Sequence, residues 1–168
     1  MPTSATRPAI RTRAGAPRLA LSVQHEPRAG ECPADRSQLR RWARAALERD
    51  ASLTLRFVGT REGRALNAQF RGRDYATNVL TFAYDDAGDE VSSSARGPVQ
   101  ADIVICLPVL VREARAQRKP LRDHLAHLVV HGVLHAQGMD HEDDAEAREM
   151  EARETVILAR FRIADPYR

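Results

Sequence analysis

Residues 121–141 read LRDHLAHLVVHGVLHAQGMDH. Pro120 before this stretch and Gly138 inside it are the natural stops of a helix running from about Leu121 to Gln137. His131 and His135 stand four residues apart on that helix, so they share one face with Cβ atoms roughly 5 to 6 Å apart, close enough for two imidazoles to hold one zinc ion. His141 would be carried away along a straight helix. Gly138 removes that obstacle, because glycine takes positive φ at little steric cost and can turn the chain back toward the same ion. Three protein ligands leave the fourth tetrahedral position for water, the arrangement of catalytic zinc sites. His124 and His127 lie on the same helix, but a set of His127, His131 and His135 would need three successive turns to converge on one ion. Both are read as structural or solvated and left outside the site. Asp140 is either a partner that orients a ligand imidazole or a turn residue.

Upstream of this helix, residues 109–118 read as a shorter one stopped by Pro120, and Asp102 to Leu107 (DIVICL) as a strand buried on both faces. Val79 to Tyr84 is β-branched and aromatic and reads as another strand. Leu19, Leu21 and Val23 alternate with Ala20, Ser22 and Gln24, and Leu53, Leu55 and Phe57 alternate before Gly59, giving two more. Asp35 can cap a helix carrying Leu39, Trp42, Ala43, Ala46 and Leu47. Thr60 can cap another, with Leu66 and Phe70 facing inward. Downstream, Asp143 and Asp144 suit the positive end of a last helix that carries Met150, Ile157, Leu158 and Phe161. The fold class expected is α+β: a single small mixed sheet of about four strands covered by about five helices, with the metal site on the late helices.

The chain has 168 residues, 43% of them hydrophobic, enough for one core without staples. Residues 1–17 hold arginines, alanines and prolines but almost no large apolar side chain, and read as a disordered basic tail ahead of one domain from 18 to 168. Asp85 to Pro98 is acidic and rich in Gly and Ser, and reads as a mobile loop. Cys32 and Cys106 form neither a disulfide framework nor a cysteine zinc site. With no membrane-length apolar run and no signal-peptide core, a soluble cytoplasmic protein is expected. The net charge of +3 comes from the tail; the body is near neutral but segregated. Arg56, Arg61, Arg64, Arg71 and Arg73 form one basic stretch and residues 112–122 another, while Asp140 to Glu154 is acidic. Local basic stretches, rather than net charge, are the clue to a polyanionic substrate.

The spacing of His131, His135 and His141 with Gly138 equals that of the metzincin proteases, HExxHxxGxxH, except that position 132 is Gly where those enzymes carry their general base. That absence argues against peptide hydrolysis and leaves metal binding intact. Phosphodiester cleavage depends less on such a base, since a metal and positive charge around the phosphate supply much of the catalysis. A metal-dependent protease or amidase would need Glu142 or Glu149 as a substitute base. A third possibility is a non-catalytic factor in which zinc pins the helices together.

Three blocks, LNAQFRGRDYATNVLTF from Leu66 to Phe82, ADIVIC from Ala101 to Cys106, and HGVLHAQGMDH from His131 to His141, resemble the YbeY-type bacterial endoribonucleases, or rRNA maturation factors. The resemblance covers most of residues 19–160. It implies a zinc-dependent endonuclease of single-stranded RNA that acts in 16S rRNA 3′-end maturation and ribosome quality control. Its partners would be rRNA and the small ribosomal subunit or its assembly factors; a non-catalytic ribosome-assembly role is the alternative. The family's functional arginine, in its L-N-x-x-[YF]-R-x-x-D block, falls on Arg71, whose permanent charge and two-pronged geometry suit a phosphate. Its competing role is an ion pair with an acid such as Asp74. The chain departs from the family at Ala101, where Gly commonly precedes the Asp, and in the longer acidic loop. Metal identity between zinc and nickel, RNA sequence preference and oligomeric state are not legible in the spacing.

Overall fold

Along β1 (Leu19–His25) buried Leu19 and Leu21 alternate with exposed Ala20 and Ser22, and along β2 (Ala51–Val58) the buried set is Ala51, Leu53, Leu55 and Phe57. Side chains alternate across a strand, so each of these sets faces one layer. The computed structural model describes residues 15–84, 97–139 and 141–168; residues 1–14 of the expected tail, residues 85–96 of the acidic loop and Asp140 lie outside them. Among the described residues the strands form one four-stranded sheet in the order β1-β2-β4-β3, with β3 at Val79–Ala83 and β4 at Val99–Cys106. β1, β2 and β4 are parallel, whereas β3 runs antiparallel to β4 along the edge. The expected mixed sheet is present, and Ile103 to Cys106 are buried on both faces as DIVICL implied.

Among the described residues five helices cover the sheet: α1 (Arg36–Ala45), α2 (Thr60–Arg71), α3 (Leu107–Ala116), α4 (Leu121–Ala136) and α5 (Asp144–Ala159). Asp35 caps α1 as expected: its carboxylate accepts the Gln38 backbone N–H while the Gln38 side chain accepts the Asp35 N–H. Three local expectations need correction. Thr60 is the first residue of α2 and Gly59 occupies the cap position, with no side-chain cap. Leu107 belongs to α3 rather than to the strand, because Pro108 is at home in a first helical turn, where an amide N–H has no partner to lose. Phe70 does not face inward; it is 55% exposed.

The larger core cluster joins one sheet face to α1, α4 and α5 through Trp42, Leu55, Ile103, Val129 and Leu158. A smaller one, with Val58, Leu80, Val104, Cys106 and Val109, occupies the other face beneath α2 and α3. α4 sits so close to β4 that a Cβ on Gly132 would lie 2.8 Å from Ile103 Cγ2. That closeness explains why glycine stands where a protease would place its glutamate. Helix propensity alone favours alanine over glycine by about 1 kcal/mol. Overpacking here is expected to reverse that sign, so Gly132→Ala should lower unfolding stability in urea by about 1–3 kcal/mol. An unchanged or raised midpoint would contradict the close packing.

Candidate metal centre

From His124 to Ala136, α4 is buried except along one line, His127, His131 and His135, spaced four residues apart. The helix then ends in a hydrogen-bonded turn. Gly138 takes φ +92°, its N–H donates to the His135 carbonyl at 3.0 Å, and the Met139 N–H donates to the Leu134 carbonyl at 3.3 Å. Nothing crowds the Cβ position of Gly138, so the requirement for glycine there is conformational. Gln137 ties this end to α1: its amide donates to the Ala46 carbonyl and its oxygen accepts the Glu48 N–H.

The turn brings His141 back to the helix. Its ring centroid lies 5.9 Å from that of His131 and 5.5 Å from that of His135, and the His131 and His135 rings are 6.0 Å apart. The three rings named from the spacing therefore form a mutual cluster, His141 exposed and the other two half-buried.

A fourth residue in this centre was not legible from the motif. Glu154, on α5, is fully buried, and its Oε1 accepts from His131 Nδ1 at 2.6 Å while Oε2 accepts from His127 Nε2 at 2.8 Å. The Tyr167 hydroxyl donates to Oε2 as well. Burial alone would raise the Glu154 carboxyl, but the bonds from His127, His131 and Tyr167 outweigh it and hold the group down at about 2. Burial and the neighbouring carboxylate push the Tyr167 phenol up. An ionised carboxylate only accepts, so both imidazole nitrogens facing it carry the protons. In neutral His131 the lone pair is then left on Nε2, the nitrogen available to a metal. His127 donates from Nε2, and its Nδ1 is buried without a partner among the described residues. The donor atoms of His127, His131 and Glu154 lie within 4.8 Å of one another, so this trio is itself a set that could hold a metal. His127 is thus part of the centre's structure rather than a bystander. His124, also buried, bonds Glu113 at 2.9 Å instead.

Arg71 stands on the last turn of α2, exposed, and no contact among the described residues links it to the histidines. Asp74, the acid named for its competing role, pairs with Arg64 instead through two 2.8 Å bonds. Glu142 and Glu149, the substitute bases a protease would need, are both exposed.

The sequence model of the family described as Endoribonuclease YbeY matches residues 27–162. The chain belongs to the Endoribonuclease YbeY family. A relative of that name from Cupriavidus pinatubonensis is 55% identical over 94% of this chain and 76% of its own length. Another from Bordetella parapertussis is 56% identical over 89% of this chain and 96% of its own. Among solved structures, the solution structure of TM1509 from Thermotoga maritima is similar, with TM-score 0.53, 25% identity, and coverage of 84% of this chain and 91% of that one. Among the described residues no helix is long and apolar enough to cross a membrane. Since Glu154 fixes the tautomer and orientation of His131, Glu154→Gln is expected to weaken any divalent-metal binding at this centre about 10- to 100-fold in a chelator competition. Unaltered affinity would remove Glu154 from the centre.

Proposed function

We propose that this YbeY-family chain is a zinc-dependent endoribonuclease of single-stranded RNA, with His131, His135 and His141 holding one ion and Arg71 holding substrate phosphate. The observation that carries this reading is the cluster of three rings, each within 6.0 Å of the other two, two of them on the accessible line of α4 and the third brought back by the turn that follows it. The donor set fits zinc: three imidazoles, one of them oriented through Nδ1 by a carboxylate. A zinc ion held there supplies Lewis acidity toward water and the phosphodiester. The protein's own contribution is to orient His131 through its Nδ1 bond to Glu154, so that Nε2 is the nitrogen left to a metal, to hold His141 in place through the Gly138 turn, and to offer a guanidinium without an ion pair among the described residues to the phosphate. Family membership and relatives named endoribonucleases support RNA as substrate. We assign the activity to 16S rRNA 3′-end maturation and ribosome quality control in the cytoplasm, by a domain spanning 18–168. A peptidase reading lacks support, because Gly132 lies against Ile103 and can present no carboxylate.

Cleavage of single-stranded RNA, with bound zinc measured in each protein, tests the assignment. His135→Ala should lose both metal and cleavage. Arg71→Ala should keep its metal and lose cleavage on the order of 100-fold, the scale of removing one preorganised charge from a reacting phosphate. Full cleavage by His135→Ala, or casein turnover by the wild type, would overturn the proposal.

A further inference from the structure

Phe70 is the side chain that the sequence pattern placed inward and the structure places outward. Its ring lies 4.7 Å from that of Phe82 at an interplanar angle of 60°, yet it remains 55% exposed. Phe82 and Tyr84 are two residues apart in extended chain and so share one side of the sheet edge. Tyr84 is 58% exposed while its hydroxyl donates to Asp102 at 2.6 Å, which fixes the ring without covering it. Rings held in place with their faces in water are poorly explained as core. Beside them the charges are sorted: Arg56 and Arg64 are taken up by Glu62 and Asp74, whereas Arg71 and Arg73 have no ion pair among the described residues. Free guanidinium groups next to exposed aromatic faces complement a flexible polyanion with π-faces.

The position relative to the histidines makes this patch useful. β3 is the sheet's edge strand, with Phe82 on the α2 side and Thr81 on the other. Thr81 is in register with Ile103, the residue against which Gly132 packs, next to His131. Rings and metal centre thus flank one strand, and a single nucleic-acid strand bending around the edge of β3, which no strand pairs among the described residues, reaches both.

We infer that Phe70 and Tyr84, supported by Phe82 and flanked by Arg71 and Arg73, form a stacking platform for unpaired bases of the RNA whose phosphate is delivered to the histidine centre. The inference rests on the nuclease reading for its choice of RNA. Its consequence is selectivity for single strands, since paired bases cannot expose their faces to the rings.

Binding of a short single-stranded 2′-O-methyl oligoribonucleotide carrying 2-aminopurine reads the platform directly, by Kd and by the quenching that stacking causes. Phe70→Ala and Tyr84→Ala are each expected to weaken binding about 10-fold or more and to abolish quenching. Phe70→Trp should restore both, while melting temperature and zinc content stay at wild-type values. Binding and quenching indifferent to both alanine substitutions, or equal affinity for duplex RNA, would overturn the platform. Ring-dependent binding with no RNA cleavage would sink the nuclease reading and leave the platform standing; cleavage with ring-independent binding would do the reverse. A wild type that binds no oligonucleotide would overturn both.

Discussion

The close approach of α4 to β4 at Gly132 and Ile103 is the constraint on which the rest depends. Because no Cβ intervenes, the helix lies flat on the sheet and is buried on nearly all sides. What stays accessible is the line from His127 to His135, one residue per turn. A larger residue at 132 would lift this line off the sheet and away from the edge strand. The missing protease glutamate and the close packing of the helix are therefore one fact seen twice.

Glu154 contributes the second constraint. A fully buried carboxylate is tolerated only with its lone pairs filled, and here His127, His131 and Tyr167 fill them. Those bonds join α5 and the C-terminal segment to α4, and they set the tautomer of the central histidine. Lys119, donating to the Pro166 carbonyl, holds the same C-terminal segment. Packing and chemistry meet at this carboxylate: the contact that orders His131 also locks the last helix to the core.

The elements were legible where local physics decides them. Alternation at Leu19, Leu21 and Val23, the cap at Asp35, and the positive φ of Gly138 all follow from neighbours in the chain. The histidine spacing likewise needs only helix geometry and one turn. Glu154 escaped notice because its partners lie 23 and 27 residues away, although an acid amid Met150, Ile157 and Leu158 is a core position that cannot stay unpaired. Phe70 was misplaced because helical periodicity reports which residues share a face, not where the sheet beneath that face ends. Asp74 could serve either Arg64 or Arg71, two turns apart on one helix, and only tertiary geometry selects Arg64.

Two candidate ligand sets for a metal share His131. Anomalous diffraction from crystals of zinc-loaded protein locates the ion directly. It is expected within coordinating distance of His131 Nε2, His135 and His141, about 2.0–2.1 Å from each nitrogen, with Glu154 still bound to His131 Nδ1. An ion seated between His127, His131 and Glu154, with His135 and His141 uninvolved, would contradict the three-histidine centre.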